Sequence, residues 1–171
     1  MEKITSNQNP LIKEVKSLKN RKYREEKRLF FIEGLKFVQE ALKERTELVY
    51  LLMSQQFVSD GRAEVLMPQL SSVGGPSSCR VFVLPDKLFG EISDTETPQG
   101  VLGVIRMQKH SIEEVMGSDD LFIILDSIQD PGNMGTIIRT ADAAGFSAVV
   151  ALEGCVDVYN PKVLRSTMGS V

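Results

Sequence analysis

The chain has 171 residues, is 42% hydrophobic and carries a net charge of −3, so it holds one ordinary domain or two small ones with enough apolar side chain for a core. No apolar run is long enough to span a bilayer, and the opening MEKITSNQNP lacks the apolar centre of a signal peptide; a soluble, cytoplasmic protein with no membrane partner is expected. A single histidine, His110, in a polar stretch and two distant cysteines, Cys79 and Cys155, argue against imidazole acid–base chemistry and against a metal site, leaving a solvated histidine and two buried free thiols as the expectation.

In chain order, Asn9 is placed to cap a first helix with Pro10 at its first position, where a missing N–H costs nothing. Leu11, Ile12, Val15 and Leu18 recur on one face of it, and Lys13, Lys16 and Lys19 on the opposite face. Arg21 to Arg28 reads as a short, strongly charged helix. The first 28 residues hold nine Lys or Arg against four acids, a net +5, and the remainder is −8. A basic front end on an acidic protein suits a polyanion met by one end of the molecule. The plain alternative is a solvated helix face with paired charges, because Lys22 and Glu26 have i, i+4 spacing.

Leu29 to Ile32 reads as a strand closed by Glu33-Gly34. A helix over about 35–44 follows, with Phe37, Val38, Ala41 and Leu42 inward, and then a buried strand from Leu48 to Met53. A helix near 59–69 precedes a Gly/Ser/Pro loop at 71–78. Strand 80–84, short helix 85–92 and strand 101–105 complete an alternating pattern. Residues 1–106 therefore read as a small three-layer α/β/α domain, and the polar residues 107–120 as a linker.

Residues 121–171 open a second domain. Leu121 to Leu125 is an apolar run ending in a loop rich in Asp, Pro, Gly and Asn. A helical pattern beginning near Asn133 stops at Gly145, and the second apolar run, Ala148 to Leu152, follows. This is a βαβ unit of a parallel sheet, in which ligands collect at the carboxyl ends of the strands. Asn160-Pro161 repeats the Asn-cap, Pro-first pattern and opens another helix. Two parallel strands leave a sheet edge open, so these residues alone are expected to be unstable, sticky or dependent on a partner. The loop lacks the G-x-G-x-x-G spacing, and no Walker lysine follows, which argues against dinucleotide or ATP binding.

The run Asp130-Pro-Gly-Asn-Met-Gly-Thr-Ile-Ile-Arg-Thr140 closely resembles the first signature motif of the SpoU (TrmH-like) RNA 2′-O-ribose methyltransferases of the SPOUT class. Asn160-Pro-Lys-Val-Leu-Arg-Ser-Thr-Met-Gly-Ser170 resembles the segment that follows it in that family. Phe30-Phe-Ile-Glu-Gly-Leu-Lys36 and Thr97-Pro-Gln-Gly-Val-Leu-Gly103 resemble landmarks of the small RNA-binding domain that many members carry. The resemblance implies an S-adenosylmethionine-dependent enzyme acting on RNA, ribosomal rather than transfer RNA, and a homodimer. It also implies a Rossmann-like, trefoil-knotted parallel-sheet domain whose second and third motifs, with the donor pocket, do not occur within these 171 residues. The chain by itself is therefore expected to be inactive.

Within the resemblance, Asn133 and Arg139 are the expected catalytic residues. Asn133 could equally cap its helix. Arg139, flanked by Ile137, Ile138, Ala141 and Ala144, needs an anionic or carbonyl partner; the alternatives are an RNA phosphate or a salt bridge with Asp126, Asp130 or Asp142. The expected RNA-binding residues are Lys13, Lys16, Lys19, Arg21, Lys22, Arg24, Lys27, Arg28 and Glu33 in front, and Gly132 and Gly135, whose missing side chains would let the RNA backbone come close. Lys162 and Arg165 could face RNA, a dimer partner or solvent, and Ser166 to Gly169 could approach the donor's methyl end. A competing reading is a non-catalytic RNA-binding protein similar to the small α/β/α modules of certain ribosomal proteins.

Overall fold

The structure, a computed structural model, describes residues 1–72, 79–108, 111 and 121–171. Contacts divide the chain into two units, Met1–Met107 and Gln108–Val171. His110 and most of the expected loop at 71–78 and linker at 107–120 lie outside the described residues.

The first unit is built on a mixed five-stranded sheet. Its strands are β1 (Glu2–Lys3), β2 (Leu29–Glu33), β3 (Leu48–Ser54), β4 (Arg80–Leu84) and β5 (Val101–Arg106), in the order β1-β4-β3-β5-β2. β4 runs parallel to β1 and β3, whereas β5 runs antiparallel to β3 and β2. Its helices are α1 (Pro10–Ser17), α2 (Arg21–Lys27), α3 (Leu35–Lys43), α4 (Gln55–Ser59), α5 (Met67–Ser72) and α6 (Asp86–Ile92).

Side chains on a strand alternate between faces, and here both faces are apolar. Leu29 and Phe31 of β2, Leu52 of β3 and Leu102 and Val104 of β5 join Ile12, Val15 and Leu18 of α1 and Leu88, Phe89 and Ile92 of α6 in one cluster. On the other face, Gly103 leaves room for Leu48, Ile32 and Val38 of α3; a Cβ there would stand 2.8 Å from the Leu48 Cδ1. Helices thus cover both sides, as the three-layer reading expects. Each fully buried Leu, Ile or Phe contributes roughly 1.5–3 kcal/mol.

Two elements differ from the expectation. β1 was invisible in the sequence because Glu2-Lys3 carries no apolar alternation. It exists because it pairs with Phe82 and Val83, and because buried Ile4 donates its N–H to the Val83 carbonyl at 3.1 Å. The helix expected near 59–69 is broken into α4, a 3-10 turn at Arg62–Val65 and α5; Gly61, at φ 72°, interrupts it.

The second unit holds β6 (Phe122–Leu125) and β7 (Ala148–Ala151), paired in parallel, with α7 (Pro131–Ala143) and α8 (Pro161–Thr167). Leu125, Met134, Ile138 and Val163 form its small core, while Leu121, Ile124 and Leu152 are exposed. Gly145, at φ 75°, ends α7, letting the Phe146 N–H reach back to the Ala141 carbonyl at 3.0 Å.

Candidate functional site

At the carboxyl ends of β6 and β7 the loop 126–130 is braced from beneath. The Val156 N–H donates to the Ile128 carbonyl at 2.8 Å, and the Cys155 thiol to the Leu125 carbonyl at 3.3 Å. Asp130 then caps α7, its Oδ1 accepting the Asn133 N–H at 2.7 Å, with Pro131 in the first turn. The helix therefore begins at Pro131, not near Asn133, because Asp130 is the residue whose carboxylate reaches the free N–H groups. Capping is thus removed from the roles open to Asn133. Its side chain is exposed and makes no hydrogen bond among the described residues.

Arg139 stands six residues further on, about 9 Å along the axis. The buried line of α7 is Met134, Gly135, Ile138 and Ala141. Arg139 shares its side with Thr136 and Asp142 instead, and all three are exposed. Its apolar sequence neighbours point elsewhere, so the requirement for an internal partner does not arise. None of the three candidate aspartates pairs with it: Asp130 is the cap, Asp126 accepts from the Ser127 hydroxyl at 3.0 Å, and among the described residues Asp142 forms no ion pair with Arg139. The exposed part of α7 thus carries an amide and a guanidinium with no partner among the described residues.

The two glycines of this helix divide. Gly132 is exposed, with only the Asp130 carboxylate near its missing side chain, at 3.1 Å. Gly135 is buried, and a Cβ there would stand 2.2 Å from the Ser166 Cβ of α8. Its smallness serves helix–helix contact, so the expectation that it admits RNA is corrected. Ser166 and Thr167 turn their hydroxyls onto their own helix, bonding the carbonyls of Lys162 at 2.9 Å and Leu164 at 2.7 Å. Lys162 is exposed and Arg165 half-buried.

In the first unit the structure sorts the expected RNA-binding residues. Arg24 is only 2% exposed, and its Nη1 donates to the carbonyls of Leu18 and Lys19 at 2.7 and 2.9 Å. It fastens the end of α1 and is withdrawn from RNA, because a buried guanidinium must be satisfied inside. Glu33 is 9% exposed and accepts from the Ser93 hydroxyl at 2.6 Å, the Thr95 hydroxyl at 2.7 Å and the Asp94 N–H at 3.0 Å. It positions the turn after α6 and does not face a ligand. The sequence offered no sign of these partners.

Lys16 pairs with Glu91 at 2.6 Å, Arg21 with Glu25 at 2.7 Å, and the Lys19 ammonium donates to the Ser93 carbonyl at 2.5 Å. Lys13, Lys22 and Lys27 are exposed and unpaired among the described residues; the Lys22–Glu26 pair offered by the spacing does not form. Arg28, half-buried, ends α2 at φ 55° with its side chain unpaired among the described residues. Both cysteines are free and half-buried, less enclosed than expected. Desolvation pushes the Cys79 thiol up to about 11.

Comparison with known proteins gives two family matches: residues 9–103 match the MRM3-like substrate binding domain, and residues 120–171 match the SpoU rRNA Methylase family. The chain is 36% identical over 170 residues to the 23S rRNA (guanosine(2553)-2′-O)-methyltransferase RlmP of Bacillus subtilis, covering 99% of this chain and 62% of that protein. It is 33% identical over 159 residues to the human mitochondrial rRNA methyltransferase 3, covering 90% of this chain and 36% of that protein. Among solved structures, the AdoMet-bound rRNA methyltransferase from Sinorhizobium meliloti is similar with a TM-score of 0.82 at 31% identity, over 99% of this chain and 61% of that one. The AdoMet complex of the SpoU methyltransferase AviRb from Streptomyces viridochromogenes also scores 0.82, at 26% identity, over 95% of this chain and 60% of that one. The chain thus spans about three fifths of the length of RlmP and of these two structures.

Proposed function

Because the chain belongs to the SpoU rRNA methylase family and carries an MRM3-like substrate-binding domain, we propose that it serves an S-adenosylmethionine-dependent 2′-O-ribose methyltransferase acting on ribosomal RNA. The observation that carries this reading is the bonding state of Asn133 and Arg139. Both stand exposed on the helix that follows a parallel strand, and neither side chain has a hydrogen bond or ion pair among the described residues.

The donor would supply an electrophilic methyl group. Ser166 and Thr167 donate their hydroxyl protons to carbonyls of their own helix, so each meets a donor only as an acceptor. The protein's own contribution is taken on the ribose side. A 2′-hydroxyl becomes a nucleophile only as its proton leaves, here to solvent water, so negative charge grows on that oxygen while the sulfonium departs as a neutral thioether. A guanidinium remains protonated in proteins and cannot take that proton, but it binds a phosphate in two-point fashion and stabilises a nearby oxyanion. Arg139 fits that role, holding the phosphate beside the target ribose. Asn133, able to donate and accept, orients the ribose at the head of the helix.

The test is Arg139→Ala in the protein that carries this chain, measured by transfer of labelled methyl groups to ribosomal RNA. Transfer is expected to fall by about 10²–10³-fold, with donor binding unchanged by calorimetry. Near wild-type turnover removes Arg139 from the reaction; loss of donor binding in the variant makes its role structural. The proposal extends to a cytoplasmic homodimer; a monomer mass by light scattering at every concentration removes the dimer.

A further inference from the structure

Resting on the RNA-binding reading, we infer that a groove in the first unit is a subsite for one unpaired, unstacked RNA base. The groove lies where β3 and β4 end, has a volume of about 470 Å³, and is lined by Phe57, Phe89, Gly90, Arg62, Asp86 and Gln99 among others. That volume lies within the roughly 300–1,000 Å³ of small-ligand pockets.

Three features select a base. Phe57 and Phe89 are buried and give the groove an apolar floor. The Arg62 guanidinium lies over the Phe57 ring, 4.7 Å from its centroid, and has no hydrogen bond or ion pair among the described residues. A planar cation backed by a ring is a stacking surface for a flat aromatic heterocycle.

The third feature is the mixed polarity of the rim. Asp86 uses Oδ1 to accept the Gln56 N–H at 3.0 Å, and among the described residues its other oxygen has no donor. Gln99 uses its Oε1 to accept the Leu35 N–H at 3.1 Å, leaving its NH₂ to donate. A phosphate would be repelled by Asp86, whereas the edge of a base carries donors and acceptors together. Such an edge is accessible only when the base is unpaired and turned out of its helix.

The experiment uses the full chain, a fluorescein-labelled RNA hairpin with one bulged nucleotide, and the matching hairpin without the bulge, compared by anisotropy. The wild-type chain is expected to prefer the bulged RNA by about tenfold, the size of one stacked base. Arg62→Ala is expected to abolish the preference while leaving affinity for the bulge-free RNA unchanged. Gly90→Leu is expected to do the same by filling the groove; nothing lies within 4 Å of the position its Cβ would take, and an unchanged circular dichroism spectrum and melting temperature check that the variant is folded. Equal affinity of the wild-type chain for both RNAs, or a preference that survives in either variant, overturns the subsite alone. Binding to neither RNA overturns the RNA-binding reading with it.

Discussion

Arg24 in the first unit and Arg139 in the second were both expected to meet RNA, yet they stand in opposite states. Arg24 is 2% exposed and donates to two carbonyls, whereas Arg139 is exposed with no partner among the described residues. Glu33 and Asn133 repeat the contrast: the carboxylate takes three hydrogen bonds, and the amide side chain takes none among the described residues. A polar group withdrawn from water has to be satisfied by its own protein. A motif residue that the fold has consumed is therefore structural, and one that the fold has left idle is available for a ligand.

The comparison can be broken most sharply at Arg24. Its replacement by Ala leaves two carbonyls without their donor and is expected to cost about 3 kcal/mol, lowering the melting temperature of the first unit by more than about 10 °C. Arg139→Ala is expected to leave stability within about 0.5 kcal/mol. Equal thermal shifts for the two variants would erase the distinction. Gly135→Ala comes next: forcing a methyl against Ser166 is expected to cost roughly 1–3 kcal/mol. Amide hydrogen exchange should locate that loss at Met134 and Val163, with Ile12 and Val15 unaffected. If instead RNA affinity fell with exchange unchanged, Gly135 would face RNA after all.

The exposed cations of the front end sharpen the contrast further. Lys13→Ala and Lys27→Ala are each expected to reduce the slope of log affinity against log salt by about 0.9 if each meets one phosphate, with no change in melting. A smaller effect is expected at Cys79. Burial holds its thiol up to about 11, so the proton stays on below that value and alkylation by iodoacetamide at pH 8 should be slower than for an unfolded thiol, rising steeply only as pH approaches 11. Equal rates for the folded and denatured chain at pH 8 would show the thiol to be solvated.

Local chemistry was readable from residue order. Asn9-Pro10 and Asn160-Pro161 open α1 and α8, and Gly145 closes α7, because caps depend on neighbours within one turn. The apolar runs marked β2 to β7 for the same reason. The cap of α7 was misplaced by three residues because Asp130 and Asn133 are both good caps, and only backbone geometry chooses between them.

The sequence by itself thus determined the family, the alternation of helices and strands, and the pairing of Asn133 with Arg139 on one helix, all of which rest on short-range patterns. Only the tertiary structure decided that Glu2-Lys3 joins a sheet, that Gly135 is filled by Ser166, that Glu33 and Arg24 are spent inside, and that Arg62 and Asp86 meet at a groove. Each of those depends on a partner distant in sequence: Phe82 and Val83 for β1, Ser93 to Thr95 for Glu33, Ser166 for Gly135. Hydrogen bonds and close packing are satisfied between neighbours in space, and the order of residues along the chain does not disclose which these are.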